Sequence, residues 1–358
     1  MRPVRGAEGL TPRPVARCVR DAAKGVCENA HKAFLRKRPG RGCEGKRISG
    51  VEPCRFLTDP DRICEHQASG SEPGIRQTVG VTDVMDVVSQ LLREAADDAV
   101  LPVFGRAGAT AQEKAPGEWV TVADRAAESF LAPRLAALCP GSVVIGEEMA
   151  SADAGLLRHL ESNIDAWLLD PLDGTANFAA GTGPFAMMAA LVRRGQTIAS
   201  WILDPLSGQL ACAEHGAGAW LDGRKIMTGS GAAPIEGLEG AVLRRFLPDA
   251  LAAHVASAGP RFAELSSGSG CAGADYPAIA TGILDFALYW RTLPWDHAPG
   301  VLFVREAGGA AQRLDGSAYL PAQHARPGLL VARNTATWHQ ALAALVPSPS
   351  LMDTTSRD

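Results

Sequence analysis

The 358-residue sequence has no long apolar run. No segment reaches the roughly 18 apolar residues that a membrane-spanning helix needs, and the N-terminal region has no apolar block of the signal-peptide type. The net charge is −4, so the chain lacks the positive excess that is typical of nucleic-acid-binding proteins. With 46% hydrophobic and 21% charged residues, its composition is that of an ordinary globular protein. We therefore expect a cytoplasmic protein whose partner is neither a membrane nor a nucleic acid.

The first 80 residues differ in composition from the rest of the chain. They hold five of the eight cysteines, and these five lack the C-x2-C spacing of a zinc site. They carry 16 Lys or Arg and 9 Asp or Glu, whereas the remaining 278 residues carry 19 and 30. Regular patterning begins only near Met85. We expect residues 1–82 to be a disordered extension or a mis-assigned leader, with the natural start near Met85, and residues 347–358 to be a flexible tail.

Helix and strand patterns alternate through the rest of the chain, which predicts α/β layering. Two long apolar strands, 184–192 and 197–203, flank the turn RRGQ and predict an antiparallel hairpin. We expect a metal-binding α+β half at 83–205 and an α/β half at 206–346. Further helices are expected at 83–101, 124–138, 247–257, 271–281 and 335–345, and after Trp295. Further strands are expected at 118–122, 142–145, 166–169, 209–214, 218–221 and 283–289, and near residues 240, 262, 310 and 328.

The segment DPLDGTANFAAG, which begins at Asp170, places two carboxylates at the end of an apolar strand. Pro171 stiffens the corner and Gly174 permits a tight turn. Two carboxylates about 4 Å apart repel each other by roughly 4 kcal/mol at an effective dielectric of 20. No Lys or Arg lies within ten positions of Asp170 or Asp173. A hard divalent cation such as Mg²⁺, which prefers oxygen ligands and pairs with phosphate, is the expected partner.

Other acidic residues are expected at the ends of helices and strands. Glu147 and Glu148 follow one strand, whereas Asp124 and Asp296 begin helices. Considered alone, an aspartate at a helix start is explained equally well as an N-terminal helix cap and as a metal ligand. The amides of Gly174 and Thr175 add an expected anion pocket at a turn. Carboxylates for a metal beside amides for a phosphate together predict phosphoester hydrolysis by metal-activated water.

These residues lie in motifs that resemble the inositol monophosphatase family, within the lithium-sensitive, Mg-dependent sugar phosphatase superfamily. The motifs are VTVAD at 120–124, GEE at 146–148, DPLDGTANF at 170–178, GSGCAGADYPAIATG at 268–282 and PWDHAPGVLFVREAGG at 294–309. The resemblance covers roughly residues 83–345. It implies an α-β-α-β-α sandwich, a homodimer, two or three Mg²⁺ ions in each site and inhibition by lithium.

The resemblance also implies a role for each matching residue. The metal ligands it implies are the carboxylates of Glu147, Asp170, Asp173 and Asp296 and the carbonyl of Leu172. The catalytic residues it implies are Glu147 and Thr175, which orient the attacking water, and Asp124, which supports Thr175. The substrate contacts it implies are Asp173, Gly174, Thr175, Ala272, Tyr289 and Asp296.

One position departs from the family pattern and leaves the substrate open. Inositol-preferring members have a glutamate seven residues before the aspartate of the tryptophan–aspartate motif, where this chain has Tyr289. A tyrosine does not accept two hydrogen bonds from hydroxyls as a carboxylate does. A small phosphorylated substrate is expected, with inositol 1-phosphate, fructose 1,6-bisphosphate, histidinol phosphate and 3′-phosphoadenosine 5′-phosphate as candidates. The alternative is a regulatory protein of the same fold that contacts RNA or the transcription machinery.

Three nearby polar residues are expected to be structural. Lys114 is expected to be solvated, although a loop there would bring it within reach of the site. Arg291 is expected to be a surface arginine rather than a contact to a second anionic group. His297 is expected to pack against its neighbours at a helix start.

Overall fold

The computed structural model describes residues 81–106, 111–115, 118–231 and 233–347. The expected N-terminal extension up to residue 80 and the expected tail from residue 348 lie outside these described residues. Within them, no helix has the length and apolarity needed to cross a bilayer.

A seven-stranded sheet forms the larger of the two main sheets. Its strands run in the order β3-β4-β5-β6-β7-β8-β9, and only β3 and β4 pair in parallel. The predicted hairpin is confirmed as β5 and β6, whose two-residue loop has positive φ at Arg194 and Gly195, as the right-handed strand twist favours. The strands are β3 (Val143–Gly146), β4 (Ala166–Asp173), β5 (Ala186–Arg193), β6 (Gln196–Leu203), β7 (Leu210–Glu214), β8 (Gly218–Leu221) and β9 (Arg224–Ile226).

A five-stranded mixed sheet follows in the chain, in the order β11-β10-β12-β14-β13. Strand β10 pairs in parallel with β11 and β12, whereas β14 pairs antiparallel with β12 and β13. The strands are β10 (Glu239–Val242), β11 (Glu264–Ser266), β12 (Phe286–Tyr289), β13 (Ala310–Arg313) and β14 (Leu329–Ala332). A separate hairpin of β1 (Gln112–Ala115) and β2 (Glu118–Val120) precedes both sheets.

Helices cover both sheets, and three apolar cores lie between the layers. One core joins α1 and α2 to a face of the seven-stranded sheet, the second joins α6 and α7 to both sheets, and the third joins α5 and α8 to the five-stranded sheet. The helices are α1 (Val81–Ala95), α2 (Val122–Leu138), α3 (Glu147–Ala152), α4 (Thr175–Ala179), α5 (Asp249–Ala258), α6 (Ala272–Thr281), α7 (Pro294–Glu306) and α8 (Thr335–Leu345). The expected α-β-α-β-α layering is confirmed. Strand β4 is buried along almost its whole length because helices cover both faces of its sheet.

Most expected elements are present, with shifted ends. The helix expected at 83–101 begins at Val81, and its last part is a π-helical turn followed by a 3-10 turn. The sequence patterns missed β1, β9 and the short helices α3 and α4. The division into halves at residues 205 and 206 stays a prediction, and the seven-stranded sheet continues beyond it to Ile226.

Candidate active site

One cavity of about 380 Å³ gathers most of the residues singled out from the sequence. Four of its acidic residues come from three separate elements, since Glu147 begins α3, Asp170 and Asp173 end β4, and Asp296 lies in the first turn of α7. Asp170 is buried, and the other three are partly exposed towards the cavity. The predicted site residues that line it are Glu147, Asp170, Leu172, Asp173, Gly174, Thr175, Ala272, Tyr289 and Asp296. Asp124 lies behind this lining, in contact with Thr175.

The corner at the end of β4 is built from its own side chains. The Leu172 amide donates a hydrogen bond to Oδ1 of Asp170 at 3.0 Å, and the Leu172 carbonyl accepts one from the Thr175 hydroxyl at 2.8 Å. Gly174 has a φ of 83°, and a Cβ there would lie 2.9 Å from the Pro184 carbonyl oxygen. Only glycine combines this φ with so close an approach. The segment therefore directs both aspartates to the same cavity.

Asp173 connects this corner to the start of α6. Its Oδ2 accepts hydrogen bonds from the Gly273 amide at 2.6 Å and from the Cys271 thiol at 3.2 Å. An aspartate at a helix N-terminus satisfies an amide that has no partner within the helix. One carboxylate oxygen of Asp173 thus holds the helix, and this contact sets Ala272 in the cavity wall.

Glu128 was not singled out from the sequence, although it fixes the position of Glu147. It is buried on α2, and its Oε2 accepts a hydrogen bond from the Glu148 amide at 3.0 Å. Burial raises its pKa to about 6. The signal available in the sequence was the position of Glu128 three residues before Leu131 and seven before Leu135, which places an acid on the apolar face of α2. An acid on such a face is rarely buried without a partner.

Lys114 is exposed, as expected, and it also contacts the site. Its Nζ lies 2.9 Å from Oε1 of Glu147 and 2.5 Å from Oε1 of Glu148. The β1–β2 hairpin brings this residue, which is 33 positions from Glu147 in sequence, to the acidic wall of the cavity. The acidic wall is the side of the cavity formed by Glu147, Asp170, Asp173 and Asp296. This ammonium group partly neutralises the cavity at its Glu147 side.

The electrostatics of the remaining acids are those of a site that favours a cation. Burial is the main cause that raises the pKa of Glu147 to about 7 and the pKa values of Asp170 and Asp296 well above the usual range. The negative charges of the neighbouring acids raise these pKa values further.

This donor set fits a hard divalent cation. It consists of carboxylates and a carbonyl, the oxygen ligands that Mg²⁺ prefers, and a cation would remove the mutual repulsion that raises these pKa values. Among the residues that the structure describes, no three His, Cys, Asp or Glu side chains already stand as close together as the ligands of one metal ion. The acids share one wall of the cavity.

Asp124 and Thr175 form a polar pair at the edge of this wall. The Thr175 hydroxyl lies 3.2 Å from Oδ1 of Asp124, and Oδ2 of Asp124 accepts hydrogen bonds from the Thr121 amide and hydroxyl. Burial raises the pKa of Asp124 to about 6. A hydroxyl carries one proton, so Thr175 donates either to Asp124 or to the Leu172 carbonyl.

Tyr289 and His297 belong to the buried wall of the cavity. The Tyr289 hydroxyl donates to Oδ2 of Asp275 at 3.3 Å. Burial lowers the pKa of His297 to about 3, so the ring is neutral. Its Nε2 therefore donates to the Arg291 carbonyl at 3.1 Å, and its Nδ1 accepts from the Tyr276 hydroxyl at 2.8 Å. The expected packing role of His297 is confirmed, whereas substrate contact by Tyr289 stays a prediction.

Arg291 is not a plain surface arginine. It lines the same cavity and donates to the carboxylate of Glu118 on β2. The sequence offered no signal for this contact, because it joins residues 173 positions apart.

Comparisons with known proteins agree with the motifs. The model of the inositol monophosphatase family matches residues 81–349. The chain is 31% identical over 207 residues to the inositol-1-monophosphatase of Mesorhizobium japonicum, a match that covers 57% of this chain and 75% of that protein. It is also 31% identical over 202 residues to the Nus factor SuhB of Vibrio cholerae, covering 55% of this chain and 72% of that protein.

A solved structure has the same fold. It is the extragenic suppressor protein SuhB of Bartonella henselae, with a TM-score of 0.64 and 25% sequence identity. The match covers 74% of this chain and 99% of that one.

Proposed function

The chain belongs to the inositol monophosphatase family, and on this premise we propose that it is a Mg²⁺-dependent phosphatase that hydrolyses a small sugar or polyol phosphate monoester. The observation that carries the proposal is the meeting of Glu147, Asp170, Asp173 and Asp296 in one cavity beside the Gly174–Thr175 turn. A structural role alone gives no reason to gather mutually repelling carboxylates around an open space.

In this proposal the acidic wall holds Mg²⁺ through the carboxylates of Glu147, Asp170, Asp173 and Asp296 and the Leu172 carbonyl. When bound, the metal would supply Lewis-acid polarisation of the phosphate and a lower pKa for the attacking water. The corner residues preorganise these oxygens, since the Leu172 amide fixes Asp170 and the Gly273 amide fixes one oxygen of Asp173. Such positioning carries much of the catalysis of phosphoryl transfer.

The phosphate would be bound by backbone amides, and the water would be oriented by side chains. The turn at Gly174 and Thr175 presents N–H groups of the kind that cradle anions. Thr175 would accept a proton of the water while donating its own to Asp124, which Thr121 holds in place. Glu147 would orient the same water from the other side.

The remaining features of the proposal come from the family resemblance. They are two or three Mg²⁺ ions per site, inhibition by lithium and a homodimer. The cytoplasmic location stays the expectation that was drawn from the sequence itself. The candidate substrates stay those named from the sequence.

The second candidate function is a regulatory role with RNA or the transcription machinery. It is favoured by relatives named Nus factor SuhB, which are as similar to this chain as the relative named inositol-1-monophosphatase. Phosphate hydrolysis needs the acidic wall, whereas the regulatory role does not. A substitution in the acidic wall therefore distinguishes the two functions.

The test is release of inorganic phosphate by the full chain in Mg²⁺, from a panel of the candidate substrates and other small phosphate monoesters. We expect turnover of at least one substrate, and a loss of more than a hundredfold in kcat for Asp170→Asn because the wall loses a metal-binding charge. Asp249→Asn, at the exposed start of α5, is the matched control and should keep full activity. Equal inactivity of the wild type and Asp170→Asn across the panel would refute the phosphatase proposal and favour the regulatory one.

A further inference from the structure

The cavity has a basic side as well as an acidic one. Arg244 and Arg245 lie in a 3-10 turn that follows β10, and Arg291 lies in the loop that follows β12. Arg244 and Arg245 are exposed, and the Arg291 side chain is about a third exposed. Since all three line the cavity and reach solvent, they mark its open side, whereas buried Asp170 marks its floor.

An aromatic ring orders two of these arginines. The guanidinium carbon of Arg291 lies 4.2 Å from the centroid of the Phe246 ring, and that of Arg245 lies 4.7 Å from it. A guanidinium that lies over the face of a ring is held there by a cation–π contact. The arginines are therefore partly immobilised before any ligand binds, which lowers the entropy cost of binding.

The backbone under Arg291 is also fixed. Its carbonyl accepts the hydrogen bond from His297, and the hydroxyl of the next residue, Thr292, accepts one from buried Arg313 at 3.0 Å. A surface arginine that serves only solubility needs no such support.

Arg291 already binds a carboxylate within the chain. Its partner Glu118 is about a third exposed, like Arg291 itself. Ion pairs this exposed contribute little and exchange readily with other anions. The planar fork of an arginine matches the oxygens of a carboxylate or phosphate better than a neutral hydroxyl.

We infer that Arg244, Arg245 and Arg291, of which the last two are ordered by Phe246, form a second anion subsite, and that the substrate is a phosphate monoester bearing a second anionic group. This inference rests on the proposed phosphatase function. The acidic wall acts on one phosphate, and the subsite binds a carboxylate or second phosphate elsewhere on the substrate. That group takes the place of Glu118 on Arg291.

The test compares matched substrates that differ in one anionic group, using the full chain in Mg²⁺. The first pair is 2-phosphoglycerate and glycerol 2-phosphate, and the longer pair is fructose 1,6-bisphosphate and fructose 6-phosphate. We expect kcat/KM to favour the member with the extra anion by at least about tenfold in one pair, the size of one charge-assisted contact. Added NaCl should lower this preference, because the subsite is open to solvent.

Arginine variants test whether the preference for the substrate with the extra anion comes from the subsite. Arg291→Gln and Arg244→Gln should each reduce the ratio of the two kcat/KM values about tenfold, mainly through KM, and Arg291→Lys should restore part of it. Glu118→Gln should increase the ratio because it removes the competing carboxylate. Arg224→Gln, at an exposed arginine on β9 that does not line the cavity, is the matched control and should leave the ratio unchanged.

Calorimetry measures the binding of fructose 1,6-bisphosphate and fructose 6-phosphate and does not depend on turnover. It therefore tests the subsite separately from the phosphatase activity. If no substrate releases phosphate, the proposed function fails, and tighter binding of the bisphosphate that Arg291→Gln abolishes still supports the subsite. Equal kcat/KM and equal binding for both members of each pair, or a ratio that Arg291→Gln does not change, would overturn the subsite and leave the phosphatase proposal standing.

Discussion

Glu128 lies behind the cavity and holds the backbone that carries Glu147. Its carboxylate accepts the Glu148 amide at the start of α3, where helix amides have no partner within the helix. Glu128→Ala removes this acceptor, so we expect a loss of about 1–2 kcal/mol in the free energy of unfolding. We also expect the Mg²⁺ concentration for half-maximal activity to rise about tenfold, because residues behind a metal ligand orient it.

Glu128→Gln is the matched control for this prediction. A glutamine keeps an oxygen that accepts the Glu148 amide but carries no charge, so it should restore most of the lost stability and Mg²⁺ response. Denaturant unfolding and Mg²⁺ titration of phosphate release measure the two effects. An Ala variant with unchanged Mg²⁺ dependence would show that Glu128 does not position Glu147.

At this scale the sequence identified residues in motifs and missed residues in long-range contacts. Asp170 and Asp173 were found because they share a short motif with a stiff corner. The partners of Lys114 and Arg291 were missed, because each partner lies far away in the chain and only tertiary packing brings the two residues together.

The corner between β4 and α4 depends on one glycine. Gly174 has positive φ, and an added Cβ would lie 2.9 Å from the Pro184 carbonyl oxygen and 3.1 Å from Cβ of Cys271. For Gly174→Ala we expect a loss of about 2–4 kcal/mol in stability, since the strain of positive φ adds to the crowding. We also expect activity to fall strongly, because the turn would shift Asp173 and the Thr175 amide together.

Gly282→Ala separates conformational strain from crowding. Gly282 ends α6 with a φ of 79°, but an added Cβ there meets no atom within 4 Å. This variant should lose only about 1 kcal/mol and keep its activity. Thermal unfolding and phosphate release compare the two variants, and equal losses in both would mean that crowding at the corner is unimportant.

Among the elements, long apolar segments were predicted well and short ones were not. The helix at 335–345 was expected at its observed bounds, because Asn334 caps it and its apolar residues repeat regularly. The short strands β1 and β9 are polar hairpin strands whose described side chains are mostly exposed, and they carry no apolar alternation to detect. Helices α3 and α4 span only 6 and 5 residues, too few for a helical period to stand out.

At the scale of the whole molecule, the layers bring together acids that are far apart in the chain. Glu147 and the β4 pair come from the seven-stranded sheet and its connection, whereas Asp296 comes from α7, which packs between the two sheets. The layered fold could be expected from the motifs, but the cavity depends on how the two sheets face α7. Binding at this site therefore couples separate layers of the molecule.

This coupling predicts that Mg²⁺ stabilises the whole fold. Without a cation the native state retains mutually repelling buried carboxylates, a cost that the unfolded chain does not have. A cation that binds only the native state adds about 2.7 kcal/mol at a concentration of 100 times its Kd. We expect the Tm of the full chain to rise by several degrees from EDTA to excess Mg²⁺.

Asp170→Asn should abolish most of this rise and, in EDTA, be at least as stable as the wild type, because it removes one repelling charge. Asp249→Asn should keep the rise. Equal Tm values for the wild type with and without Mg²⁺ would contradict a metal site built from these acids.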